Sequence, residues 1–575
     1  MSEPMNYQCE YSSSVLREWK NTRELAEKAI LAYRESCQSV AALASSNADE
    51  AQMLTMQLDH TLINFYPQTA NELVHSRANL ARARNCTKSR FQSLPNEIIR
   101  MIFMDLVYAP APGDPRSPAM NKALETMCSR LIGLISVCSS WRNIGLNSSE
   151  LWSFIPLSTD HPNHPSPLTS LFLERALASA YNNRPLYLVT SPSLKQVPHL
   201  PLVTGNVPPR FTSINIEGCE RQICDLIGSL LQYASHEALS ELSIHQVSNA
   251  RNRRGPYQAL LPSGRLTFGP KDDVFRSLIG SLSTLRVSGA NLMWDQIAFS
   301  QKLVELRVQS VVLGHSHSAL PNFARALQSA PELQDLKIIG LVTFPDTHQD
   351  FHLETPAEIV SLPKLKSLLL EDLHFNVLSF LLRSIAPGSH HVKLFLTLKA
   401  LQLLLVYGRP VEITSDRLID LLKGFKIDTL LLRGDIYEDS MWLEDLDLRD
   451  IIGSLPTLSV LKMANWKFNE GGLLALAPVP PKHQNPQDVR GLFPSLSHLT
   501  LSDCAVKNSD ASTLLHVVAS HPLQSLEIGP FGAVVDTASL ASKSIARLKT
   551  MVPNFREARA ALDMEDFAQH VWQLW

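Results

Sequence analysis

The chain has 575 residues, room for about four domains at roughly 150 residues each, or fewer where one is a repeat array. Lys and Arg number 52 against 55 Asp and Glu, a formal net charge of −3, and this excludes a dedicated nucleic-acid or anionic-membrane binder carried by a basic surplus. With 45% hydrophobic and 19% charged residues, the composition is that of a core-forming protein and excludes a disordered one.

The opening MSEPMNYQCEYSSS has neither a basic nor an apolar signal region, and residues 1–14 read as a disordered tail. No uncharged apolar run reaches the ~18 residues of a membrane span; the longest candidate, Leu394 to Val406, is interrupted by Lys399. Cytosol or nucleus is the expected location, and the sequons at Asn85 and Asn147 are then chance matches. The eight cysteines contain no CxxC pair, so the expectation is buried free thiols in a reducing compartment.

Residues 15–88 carry apolar side chains at helical spacing: Val15, Leu16, Trp19, Leu25, Ile30 and Tyr33, then Met53, Met56, Leu62, Leu73 and Leu80. Pro67 and the polar stretch Ser45–Glu50 divide the pattern. The heptad is too irregular for a long coiled coil, and an amphipathic helical hairpin is predicted.

Residues 89–158 form the next unit. Pro95 suits a first helical turn, Glu97 lies favourably toward the helix dipole, and Ile98, Ile99, Ile102, Phe103 and Leu106 follow as an apolar face. The run APAPGDPRSP is a loop by composition. A second helical pattern runs from Leu131 through Val137, Cys138 and Trp141, ahead of Leu151 and Trp152.

From Leu94 to Trp152 this string resembles an F-box domain: a Leu-Pro-x-Glu-Ile opening, a Val-Cys-x-x-Trp centre and a late Leu-Trp. The long Pro-rich insertion between the first two helices departs from that pattern. The resemblance implies docking on a Skp-type adaptor and, through it, a cullin. Carried over by position, Leu94, Pro95, Ile98, Ile99, Ile102, Phe103, Val137 and Cys138 would bind the adaptor, while Trp141, Leu151 and Trp152 would form the F-box core. Upstream helices, an F-box and leucine-rich repeats in that order are similar to a large fungal F-box-like group.

Residues 159–540 change character. Leu-x-x-Leu-x-Leu cores recur at Leu239–Ile244, Leu282–Val287, Leu303–Val308, Leu333–Ile338, Leu365–Leu370, Ile427–Leu432, Leu458–Met463, Leu496–Leu501 and Leu523–Ile528. Earlier members lie at 185–188 and 211–216, and His391–Leu398 fills the long gap. The step of roughly 20 to 45 residues is that of leucine-rich repeats. Alternation aims two side chains inward from a short strand, intervening helices such as 320–330 and 377–385 cover the outside, and neighbours stack into a curved solenoid. Pro331, Pro363, Pro456 and Pro494 end each helix ahead of the next strand. Residues 541–575 read as a capping helix divided at Pro553, with a docked peptide tail as the alternative. The predicted fold class is thus α+β or α/β repeat: N-terminal helices and a helical F-box, followed by an irregular leucine-rich-repeat solenoid of parallel strands.

No reactive motif survives inspection. GxxxxGK[ST] and GxSxG are absent, and His236-Glu237 lacks the second histidine of HExxH. His161/His164, His315/His317 and His390/His391 have no obvious completing ligands, so no metal or other cofactor is expected. The acidic stretch Asp435–Asp450 and the basic run Arg251, Arg253 and Arg254 read as solvated loop faces. The expectation is a non-enzymatic substrate receptor of a cullin-RING ubiquitin ligase, its solenoid holding an unidentified target protein, with no nucleic-acid or membrane partner. A scaffold with an F-box-like fold and no ligase connection is the alternative, and an enzyme or small-molecule receptor with its site inside the arc is a third.

Overall fold

The computed structural model describes residues 7–43, 48–88, 91, 94–109, 119–157, 167–177, 185–190, 210–232, 238–247, 266–344, 359–405, 410–434, 441–478, 493–506, 510–529, 542–557 and 572–574. They fall into two compact units, Met1–Ile99 and Arg100–Trp575.

The first unit is helical: α1 (Tyr7–Leu43), α2 (Ala48–His60) and α3 (Tyr66–Lys88), with a π-helical turn over Thr61–Phe65. Helix α1 starts at Tyr7, inside the segment expected to be disordered. Pro67 opens α3 rather than ending a helix. Pro67 has no N–H to give the carbonyl four residues back and its ring crowds that carbonyl, which accounts for the widening of the backbone there to the π form. The ring of Tyr33 meets Phe65 at 5.5 Å and Tyr66 at 6.4 Å, pinning α1 against the turn. Most of the apolar stripe, including Leu25, Met56 and Ile63, stays exposed.

Helix α4 (Asn96–Tyr108) crosses from the first unit into the second, and α5 (Met120–Val137) and α6 (Ser139–Asn147) follow. The Cys-x-x-Trp spacing has a local cause: Cys138 is the N-cap of α6, its Sγ accepting from the Trp141 N–H at 3.5 Å. The Trp141 ring meets Phe103 edge-on at 5.1 Å and is half-buried, less than the sequence suggested. Trp152 is wholly buried, edge-on to Phe172 at 4.8 Å, and its Nε1 donates to the Gly145 carbonyl at 2.9 Å. Gly145 has to be glycine, because a Cβ there would lie 2.6 Å from Ile135 Cγ2 across the α5–α6 contact.

Beside two small two-stranded sheets, Val312–His315 with Val342–Phe344 and Gln402–Leu403 with Val411–Glu412, the rest of the second unit is built on an open sheet of fourteen strands, in chain order from edge to edge. They are β1 (Phe154–Leu157), β2 (Leu186–Thr190), β3 (Phe211–Gly218), β4 (Glu241–Gln246), β5 (Thr284–Ser288), β6 (Glu305–Gln309) and β7 (Asp335–Ile339). Then come β8 (Ser367–Glu371), β9 (His391–Leu396), β10 (Thr429–Arg433), β11 (Val460–Ala464), β12 (His498–Ser502), β13 (Ser525–Ile528) and β14 (Asn554–Glu557). Each neighbouring pair is parallel, as in βαβ-like stacking with helices such as Ser316–Gln328 and Phe375–Ser384 between strands. This is a leucine-rich-repeat-like solenoid.

The inward side chains form columns: Leu242, Leu285, Leu306, Leu336 and Leu368 in one, and Ile244, Val287, Val308, Ile338 and Leu370 in the next, all buried. At β9 the register steps by one dyad. Val392 aligns with Leu368, and Leu394 aligns with both Leu370 and Leu430. Strand β9 can do this because Val392, Leu394 and Leu396 give it three inward positions. A shift of two keeps every side chain on its face, whereas a shift of one would turn the core outward.

Before the strands, Ala330-Pro331, Leu362-Pro363 and Leu455-Pro456 begin turns closed by N–H groups of Leu333, Leu365 and Leu458 onto the carbonyls of Ala330, Leu362 and Leu455. Proline at the second position presets φ for such a turn, so it places the buried leucine as well as ending the helix. After the strands, Gly289, Ser310, Gly340, Asp372 and Asn465 adopt φ between 50 and 69°; each donates its N–H to the end of the next strand, to its last residue in four cases and to the penultimate Phe395 from Asp372. At Gly289 a Cβ would also meet the Gln246 carbonyl oxygen at 2.4 Å.

Both ends of the array differ from expectation. Strand β1 lies within residues 89–158, so the sheet begins before the expected boundary at 159. After helix Ser542–Met551, Pro553 stops the helix, and Asn554–Glu557 pairs with β13 as the fourteenth strand instead of continuing as helix. Gly145→Ala should cost about 1–3 kcal/mol by overpacking, read as a lower urea midpoint of the full chain. Adding Ile135→Ala should recover part of the loss, since it removes the atom the new Cβ would strike.

Candidate functional site

The helical cluster of the second unit keeps a buried side and an apolar outside. On α4, Phe103 and Val107 are buried while Met101 and Leu106 face out; on α5, Leu124, Met127 and Leu131 are buried while Ile132 and Val137 face out. Val137 and Met101 are each 61% exposed, well beyond what a core role explains. In the first unit, Pro95 and Ile98 are exposed and Leu94 is half-buried. Ile102 and Cys138 are half-buried. Ile99 and Phe103, expected in the adaptor set, are instead buried in the fold of this chain. Leu151 and Trp152 are core residues.

The second region is the sheet face opposite the leucine columns. The middle residue of each Leu-x-Leu strand points there, so register lines up Asn215, Ser243, Arg286, Arg307 and Lys337 across β3 to β7. Arg286 holds Glu305 with two bonds, Nε to Oε1 at 2.8 Å and Nη2 to Oε2 at 2.7 Å. Arg307 is only 1% exposed, and its Nε and Nη2 both donate to Gln309 Oε1, at 3.1 and 2.7 Å. Burial lowers its guanidinium to about 10, opposed by the charge of Glu371, so it stays cationic at neutral pH. His245, one dyad further along, is pushed down to about 4 by burial and then by Arg307. Its Nδ1 lies 3.7 Å from Glu217, but a neutral imidazole makes this no charge pair, and burial raises the Glu217 carboxyl as well.

The C-terminus docks on this face. Trp572 is buried and its ring meets that of His245 at 5.2 Å. Its Nε1 donates to Asn215 Oδ1 at 2.9 Å, and Asn215 Nδ2 donates to the Gln573 carbonyl at 3.0 Å. Gln573 forms an antiparallel bridge with Ala119, and the Met120 N–H donates to the Trp572 carbonyl at 2.9 Å. Ala119 sits at the N-cap of α5 with no side-chain acceptor, so the tail's carbonyl supplies the missing cap. Sequence reasoning missed Asn215, His245 and Trp572. The polar middle positions of the strands were the available signal for the first two.

A groove of about 650 Å³ lies where the central strands end, lined by Asp372, Thr397, Lys399, Gln402, Arg433 and Trp442 among others. Thr397 Oγ1 donates to Asp372 Oδ1 at 2.8 Å, Lys399 pairs with the same carboxylate, and Trp442 Nε1 donates to the Arg433 carbonyl at 2.9 Å. His374, just beyond Asp372, is buried and lowered to about 4, first by burial and then by Lys399.

Among the described residues, no group of three or more His, Cys, Asp or Glu could hold a metal ion. His315/His317 and His390/His391 stand without such a group, while His161/His164, His236-Glu237 and Arg251–Arg254 lie outside the described residues, as do Asp435, Glu438 and Asp439. No described helix is long and apolar enough to cross a membrane. The described cysteines are free.

No protein-family model matches the chain. None of the curated proteins matches it either. Solved structures do, among them the crystal structure of a TLR13–ssRNA13 complex, at 18% identity and a TM-score of 0.27. The match covers 56% of this chain and 43% of that one, so this chain spans less than half the length of that structure.

His245 and His374 both titrate lower in the folded chain than the ~6.5 of a free histidine. The unfolded chain therefore binds more protons between pH 6.5 and 4, and stability falls as pH drops through that window. The urea midpoint should be lower at pH 5 than at pH 7. Each histidine contributes about 1.4 kcal/mol per pH unit at most. His374→Gln should flatten the slope, and an unchanged slope would rule out its titration as a cause.

Proposed function

We propose that this chain is the substrate-recognition subunit of a Skp-cullin-F-box type ubiquitin ligase, working in the cytosol or nucleus. The helical cluster docks a Skp-type adaptor and the solenoid holds a target protein. The chain performs no covalent chemistry; it raises the target's effective concentration beside a ubiquitin-charged enzyme. The observation that supports this reading is the exposed apolar surface of the cluster, Met101 and Val137 above all, directly ahead of a repeat array whose open face carries ordered polar groups. The Leu-Pro-x-Glu-Ile and Val-Cys-x-x-Trp strings supply the family resemblance.

Met101→Asp with Val137→Asp tests the adaptor arm. Both side chains are exposed, so the fold should keep its thermal midpoint. Central apolar anchors carry about 2 kcal/mol or more each. At ~1.4 kcal/mol per factor of ten, the pair should weaken binding by about three orders of magnitude. The measurement is a titration of purified adaptor against wild type and double variant. Wild type that fails to bind any Skp-type adaptor would leave the scaffold reading in its place.

A further inference from the structure

We propose that Asn215, His245 and the N-terminus of helix α5 form a binding site for an extended, tryptophan-bearing segment of a target protein, which the chain fills in cis with its own C-terminus. The proposal holds whether or not the helical cluster docks an adaptor.

The contacts have the form of peptide recognition. Asn215 is buried, and both polar atoms of its amide are used on the tail, one on a side chain and one on a main-chain carbonyl. That pairing fixes the indole and the backbone at once. The antiparallel bridge at Ala119, which the Met120 N–H closes onto the Trp572 carbonyl, adds main-chain pairing that any extended peptide can make. The indole is read as a side chain, Nε1 by Asn215 and the ring by the neutral imidazole of His245. The site therefore asks for tryptophan in an extended backbone. Two of its three parts, Asn215 and His245, lie on the sheet face where the strands' polar middle residues point, the surface a solenoid offers to partners. The third, the α5 cap, is an orphan helix-end donor that any carbonyl can satisfy.

The resident tail is tethered, so it competes as though present at about millimolar concentration. A target segment of the same chemistry must displace it.

The test uses full-length Trp572→Ala, which removes the resident indole from the site, and the labelled probe fluorescein-Gly-Gly-Trp-Gln-Leu-amide. Fluorescence anisotropy should show saturable binding to this variant. The same probe with Trp replaced by Ala should not bind, and adding Asn215→Leu to the variant should abolish binding. Wild type should bind the probe at least about 100-fold more weakly, because its own tail occupies the site. Equal binding of the Trp and Ala probes, or binding indifferent to Asn215→Leu, would overturn the proposal. Should Trp572→Ala fail to fold, wild type still decides: excess Trp peptide should speed carboxypeptidase trimming of the chain's C-terminus, the Ala peptide should not, and no acceleration would overturn the site. A wild-type dimer dispersed by the Trp peptide would make the occupant a second copy of this chain and overturn the assignment to a target segment.

Discussion

Everything in the solenoid depends on parity: two apolar side chains of each short strand must fall on the same side as those of its neighbours. The columns through Leu242, Leu285 and Leu306 meet that demand, and the turns and left-handed strand ends serve it by fixing where each strand starts and stops. Burying each such side chain is worth about 1.5–3 kcal/mol, and no single repeat collects it alone. The dyad step at β9 is the informative exception. Repeats before and after it are out of phase by one pair of residues, and the longer strand absorbs the difference without exposing a leucine.

Parity also decides what the other face can be. Once the flanking leucines point inward, the middle residue of every strand points away from them, and neighbouring repeats bring those residues within reach of one another. Arg286 and Arg307 stand side by side on adjacent strands, which is tolerable because Glu305 takes the first and Gln309 with Glu371 attends the second. Burial, and after it the charge of Arg307, keeps His245 neutral where the tail's indole lies.

Much of this was readable from local pattern. Period-two alternation, prolines ahead of strands and helical spacing between them are properties of ten or so residues at a time, and they identified the repeat strands and the helices before Phe154. The array's ends were not readable in the same way. Phe-Ile-Pro-Leu contains a proline that argues against a strand, yet Pro156 is tolerated on an edge strand, where one side of the backbone has no neighbour. Asn-Phe-Arg-Glu lacks the repeat signature and becomes a strand because β13 offers it an open edge. In the F-box-like stretch, motif position alone did not separate the buried Ile99 and Phe103 from the exposed Ile98 and Val137; helix rotation did. The Asn215–Trp572 contact joins residues 357 apart, and nothing local to either announces the other.

That separation has a consequence for synthesis. At ~5–20 residues per second, on the order of 20–70 s passes between Asn215 and Trp572 leaving the ribosome. Throughout that interval helix α5 lacks its cap and the Asn215 amide its partners, although the strands between can already stack. A chain lacking residues 572–574 would keep all fourteen strands and lose the contacts to Asn215 and Met120. Contacts near the start of the repeat unit are thus completed by residues translated after all fourteen strands.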